Sequence, residues 1–123
     1  MRVNYITIKD GERHPMCLSL SAIEEIIETF GGLTEMTETL RGDDQLAKLR
    51  GINSMLEILM RAGRHYCAEM GIDMPPALKC KPGDLIDITD GTALTAIFDT
   101  IRVDTSRTVE ARSKNADPTP EEN

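Results

Sequence analysis

The sequence predicts an α+β fold that is mostly helical, with an N-terminal β-hairpin packed on a bundle of four or five helices. Three observations lead there. Residues before and after Asp10-Gly11 alternate in polarity, several later segments repeat apolar residues every three or four positions, and Gly or Pro closes each of those segments. With 123 residues, the chain is long enough to hold one hydrophobic core without metals or disulfide staples. The expected organisation is a single globular domain over 1–110 and a disordered tail over 111–123.

The hairpin comes first. Val3, Tyr5 and Thr7 alternate with Asn4, Ile6 and Ile8, and a second run ends at Met16-Cys17-Leu18. Asp10-Gly11 between them suits a type I′ turn, because both positions must tolerate positive φ. Pro15 lacks a ladder donor, so its strand is expected to be short or to lie at an edge there. A two-stranded hairpin is marginal alone, so Ile6 and Ile8 are expected to face helices.

Ile23, Ile26, Ile27 and Phe30 recur as i, i+3, i+4, i+7, one apolar face of a helix that stops at Gly31-Gly32. Two starts compete: Ser21 with Glu24 as a capping box, or Ser19 as the cap with Leu18 stapled onto Ile23. A shorter helix from Thr34 to Arg41 turns Leu33, Met36 and Leu40 inward. The longest helix runs from Asp44 to Glu69 or Met70 and ends at Gly71. Leu49, Ile52, Leu56, Leu59, Gly63, Tyr66 and Met70 form its expected buried seam, with Arg50, Glu57, Arg61 and Arg64 on the wet side. Gly51 and Gly63 each cost about 1 kcal/mol in a helix, which points to close approach of a neighbour. Pro75-Pro76 forces an extended stretch to Cys80, and Lys81 to Ile88 forms a helical turn started by Pro82. A last helix over Asp90 to Arg107 presents Leu94, Ile97, Phe98 and Ile101. Beyond Ala111 there is no large apolar residue, and Pro118 and Pro120 block helix.

The charge balance narrows function. With 14 basic and 21 acidic residues the net charge is -7, which disfavours nucleic acid and anionic membrane surfaces. No apolar run approaches the ~20 residues of a membrane span, and the first ten residues do not form the apolar block of a secretory signal. Cys17, Cys67 and Cys80 are an odd set without CxxC spacing, so neither a disulfide framework nor a zinc site is indicated, and a reducing cytoplasm fits.

Catalytic chemistry needs a nucleophile with a base, a metal set or a phosphate-cradling loop, and the sequence offers none, so no catalytic, cofactor or metal residues are assigned. His65, among Arg61, Arg64 and Glu69, reads as a solvated side chain. Asp84, Asp87, Asp90 and Asp99 suit helix starts rather than a calcium loop. Gly31-Gly32 closes a helix where phosphate loops open one. Arg50, Arg61 and Arg64 read as a solvated face. The seven Met are chiefly core filler, with Met55, Met60 and Met74 as candidates for an adaptable groove. More one-sided is the acidic run Glu24, Glu25, Glu28, Glu35 and Glu38, continued by Asp43 and Asp44 and opposed by Arg41. The five glutamates are the candidate contacts for a basic partner.

The hairpin, the segment Leu18-Ser19-Leu20-Ser21-Ala22-Ile23-Glu24-Glu25-Ile26-Ile27-Glu28-Thr29-Phe30-Gly31-Gly32-Leu33, the long central helix, the Pro-initiated turn and the last helix together resemble the tail assembly chaperone family of long-tailed bacteriophages and prophages. Members often carry a segment of the type L-x-A-I-x-E-I-E-x-x-F-G-S-L after an initial hairpin. The resemblance spans about Tyr5 to Ile101. It implies a non-enzymatic protein of the bacterial host cytoplasm that binds the tape measure protein and recruits tail tube subunits, and that can self-associate. It also implies a frameshifted longer form, and Ser113-Lys114-Asn115 is a tripeptide that the slippery heptamer A-AAA-AAC is able to encode. Three rival classes remain: a structural tail or head-tail connector component, a small bacterial regulator or adaptor that binds through the acidic helix face, and, last, an enzyme.

Overall fold

The computed structural model describes residues 2–87 and 91–102. Strand β1 (Asn4–Thr7) pairs antiparallel with β2 (Arg13–Met16), and helices α1 (Leu20–Phe30), α2 (Leu33–Arg41) and α3 (Gln45–Met70) come next. A 3-10 turn at Pro82–Leu85 leads to a further helix, α4, over 92–102. The fold is therefore α+β and mostly helical, a hairpin succeeded by helices. The expected tail and residues 103–107 of the last helix lie outside the described residues, as do Ile88 and Asp90.

The hairpin turn differs from the expected two-residue type. Thr7 pairs with Arg13, so five residues, 8–12, connect the strands. The Gly11 amide donates to the Ile8 carbonyl at 2.9 Å and the Glu12 amide to Asp10 Oδ1 at 3.0 Å. Asp10 thus holds the turn with its carboxylate.

Ile6 and Ile8 are buried, as the alternation requires. The inward side of the hairpin is tied to helices at three points: Cys17 N donates to the Leu59 carbonyl (3.2 Å), Lys9 N to the Leu85 carbonyl (2.9 Å), and Asn4 Nδ2 to Thr100 Oγ1 (3.0 Å). Pro15 is buried; the strand that carries it has α3 rather than a third strand on its free side.

The reason for that arrangement is Gly63. A Cβ there would sit 2.7 Å from the Met16 amide nitrogen, 2.5 Å from the Pro15 carbonyl carbon, and closer still to the Pro15 carbonyl oxygen. Backbone of β2 lies directly on the backbone of α3, as expected of a glycine retained in a helix. Gly51 does the same for α2, although what it meets are side chains: Leu40 Cδ2 at 2.8 Å and Phe30 and Thr39 at 3.3 Å.

Capping settles the start of α1. Ser19 Oγ accepts from the Ala22 amide at 3.1 Å, so Ser19 rather than Ser21 is the cap. Gly31, with φ 101°, ends the helix by donating to the Ile27 carbonyl. Asp44 caps α3 through the Ala47 amide.

Two expected faces are corrected. On α1 the buried positions are Ala22 and Ile26, whereas Ile27 is 50% exposed. Successive helix residues turn by about 100°, and the contact arc is centred one step back from Ile27. On α3 the seam prediction holds for Ile52, Leu56, Leu59 and Gly63 but fails for Leu49 and Met70, which are 44% and 59% exposed, and Tyr66 is half-buried. In their place Gly51, Met55, Ile58, Met60, Ala62 and Cys67 are buried. Because β2, α1, α2 and the 3-10 turn pack on α3 from several directions, burial wraps round its middle and lapses toward both ends. Met55 is a core residue, Met60 is buried yet lines a cleft beside α3, and Met74 is half-buried.

Gly63→Ala is expected to destabilise the fold by about 2 kcal/mol or more in urea titration, because backbone must move, whereas Gly51→Ala costs less, since the end of Leu40 can swing aside. Equal losses would contradict a backbone-on-backbone seat at Gly63. Leu56, fully buried, should cost about 2 to 5 kcal/mol as Leu56→Ala.

Candidate functional site

Helix α1 contains Glu24, Glu25 and Glu28, and α2 contains Glu35 and Glu38; from Leu20 to Leu40 the chain carries no Lys or Arg. Glu24, Glu28, Glu35 and Glu38 are exposed. Glu25 stands apart from them. Its Oε1 accepts from Arg61 Nη1 of α3 at 2.6 Å, with the two side chains 40% and 48% exposed. A pair so open to water contributes about 0 to 1 kcal/mol, but it neutralises one of the five candidate acids. Glu35 instead folds back over the start of its own helix, where its Oε1 would lie 2.5 Å from a Cβ on Gly32.

Cations near this surface are turned elsewhere. Arg61 is committed to Glu25, and Arg41 at the end of α2 stacks over the Phe98 ring of α4, 4.5 Å from its centroid. The outward sides of α1 and α2 therefore keep the negative charge that the sequence suggests.

Two clefts flank α3. The larger, ≈ 470 Å³, lies between the first turns of α1 and the second half of α3, lined by Ser21, Glu25, Arg61, His65, Tyr66 and Glu69 among others. The smaller, ≈ 310 Å³, lies between α3 and the extended stretch after Pro75-Pro76, with His14, Glu57, Arg61, Arg64, Leu78 and Cys80 in its wall. Arg64 Nη1 donates to the Pro75 carbonyl at 2.7 Å and straps that stretch to the helix. The Asn53 Oδ1 atom is buried beneath Gly83 without a hydrogen-bond donor.

His65 is exposed, as its charged neighbours suggest. His14 is 1% exposed, and its Nε2 lies 2.8 Å from Asp10 Oδ2. The Glu12 amide, and after it the His14 ring, holds the Asp10 carboxyl below its ordinary 3.8. Burial pushes the Cys67 thiol up, against the opposing charge of Arg64. Cys17 and Cys67 are buried and Cys80 is exposed, none of them in a disulfide. Among the described residues, no group of three or more His, Cys, Asp or Glu side chains can hold a metal ion, and no helix is long and apolar enough to cross a membrane.

What sequence periodicity misses is apolar. Leu20 is 85% exposed and Ile27 50% exposed, both on α1 and next to Glu24 and Glu28. The spacing of Ile27 assigns it inward, and Leu20, at i−3 to Ile23 and i−7 to Ile27, lies on the same apolar side without entering the core. The most open large apolar side chain among the described residues thus sits on the acidic helix.

Comparison with known proteins adds no relative: no family model, no curated protein and no solved structure matches this chain. The chemistry of the surface has to be read from its own residues. It presents carboxylates and apolar side chains together on a capped helix.

Two outcomes are expected. Under native conditions a thiol reagent should modify Cys80 and spare Cys17 and Cys67 until the chain is unfolded, as counted by mass spectrometry. Because the Asp10 carboxyl is lowered, its stabilising effect is full above pH 3.8 and is lost as pH falls through the lowered value. Wild type should therefore exceed Asp10→Asn in stability near neutral pH, with the gap closing on acidification in denaturant titrations.

Proposed function

We propose that this chain is a non-enzymatic tail assembly chaperone of a long-tailed bacteriophage or prophage, working in the bacterial host cytoplasm on the tape measure protein and tail tube subunits. The reading rests on the segment Leu18 to Leu33 and its likeness to that family. The observation that carries it furthest is that this same segment forms α1, capped by Ser19, closed by Gly31 and bearing exposed Glu24 and Glu28 beside exposed Leu20 and Ile27.

A chaperone for a long helical protein must cover apolar surface that would otherwise aggregate, while itself staying dispersed. A net charge of -7 keeps copies of the chain apart, and apolar side chains exposed on one helix provide the covering surface. Order along the chain supports the same reading: hairpin, α1, the Gly31-Gly32 break, α2, the long α3, the Pro82 turn and α4.

Co-expression with a tape measure protein of a long-tailed phage should leave that protein soluble and retained on the tagged chain. Glu24→Lys with Glu28→Lys should lower retention by about tenfold with an unchanged melting temperature. Retention equal to wild type would remove the acidic surface from the binding role. Recovery of the chain as a stoichiometric part of purified particles would favour a structural tail component instead.

A further inference from the structure

Helix geometry places Leu20 and Ile27 on one stripe. Seven residues at about 100° each bring them to within about 20° of one another and about 10 Å apart along the axis. Ala22 and Ile26, the buried positions of α1, lie on the inward side. Glu24 and Glu28 adjoin the stripe on its outward side. Ser21 and Glu25 occupy the opposite shoulder, in the cleft against α3. The exposed part of α1 is thus ordered across its width, with apolar side chains along one line and carboxylates along the next.

We propose that this outward stripe of α1 docks one amphipathic helix that carries Lys or Arg along one flank of its apolar face. The proposal rests on the protein-binding function proposed for this chain and names the chemistry of the partner. A helix is the shape that fits: anchors two turns apart match the i, i+7 spacing of a facing helix. A strand would need unpaired backbone groups to bond with, and the backbone of α1 is bonded within its own helix.

Charge decides which helix. Between Leu20 and Leu40 every charged side chain is acidic, and the nearby Arg61 and Arg41 are engaged by Glu25 and Phe98. A partner with acidic flanks would place like charges opposite Glu24 and Glu28, and an uncharged one would strip water from those carboxylates without replacing it. Basic side chains on one flank pair with both glutamates, while the apolar face covers Leu20 and Ile27. The ordering across α1 also fixes which flank of the partner carries the charge.

The test uses the full chain and a fluorescent synthetic peptide of about 18 residues, long enough to hold a helix, with Leu on one face and Lys on one flank. Its twin has Glu in place of Lys. Anisotropy titration should show the Lys peptide bound and the Glu twin bound at least about tenfold more weakly. Leu20→Gln with Ile27→Gln alters exposed positions with a good helix former, so folding survives, and should weaken the Lys peptide by about tenfold. Glu24→Lys with Glu28→Lys should reverse the preference between the twins. Equal binding of both twins, or binding indifferent to the Leu20 and Ile27 changes, would overturn the proposal. So would a dimer in sedimentation that those two changes dissolve, because the stripe would then be covered by a second copy. If the tagged chain retains the tape measure protein while these variants behave as wild type, the docking stripe fails and the chaperone reading stands. If retention fails while the peptide preferences hold, the reverse is true.

Discussion

The contact on which the structure depends is the seat of β2 on α3, where Gly63 lets the Pro15-Met16 backbone lie against the helix without an intervening side chain. A two-stranded hairpin has too little buried surface to persist alone. Here it is fastened: the Cys17 amide donates to the Leu59 carbonyl, and Ile6, Ile8, Met16 and Leu18 enter the same core as Ile52, Leu56 and Leu59. That seat also fixes the next element of the chain. Ser19, close behind β2, caps α1, so the position of β2 on α3 sets where α1 begins and which side it presents.

Much of the fold is legible in the sequence because it rests on local rules. Alternation gives the hairpin and its inward Ile6 and Ile8; Asp44, Gly31 and Gly71 mark helix ends, with Ser19 one of two competing starts for α1; Pro82 opens the short turn; Gly51 and Gly63 announce close neighbours. Less legible is which side of each helix is covered, since periodicity gives an apolar arc but not its centre. On α1 the arc from Ile26 through Ile23 to Ile27 is wider than its contact, and its far edge is left in water. On α3 the apolar residues read as a single seam, yet contacts from several directions bury Ile58, Met60 and Ala62 outside it while Leu49 and Met70 stay open. The turn at Asp10-Gly11 departs from its expected type for a related reason: the Asp10 side chain bonds the Glu12 amide, which stabilises a longer connection than the dipeptide alone suggests. His14, with no patterned neighbour, gives no sign in the sequence of being buried.

The candidate site shows the same division. Its acids are visible as a run of one sign, and four of the five stand exposed. That Glu25 is neutralised by Arg61 depends on a contact between residues far apart in the chain. Leu20 and Ile27, the apolar half of the surface, emerge once burial shows which arc of α1 the core leaves uncovered. Together these residues give the acidic helix a physical reason to bind rather than merely to stay hydrated: apolar anchors supply affinity, and the adjoining carboxylates select the sign of the partner.

Carboxylate footprinting of the full chain, alone and co-expressed with the tape measure protein proposed as its partner, bears most directly on α1 as the binding surface. Modification of Glu24 and Glu28 should fall sharply in the complex, while Glu57, in the cleft between α3 and the stretch after Pro75-Pro76, should react as before. Undiminished modification of Glu24 and Glu28, with protection appearing at Glu57 instead, would contradict a binding role for α1 and move the partner to the cleft between α3 and the stretch after Pro75-Pro76.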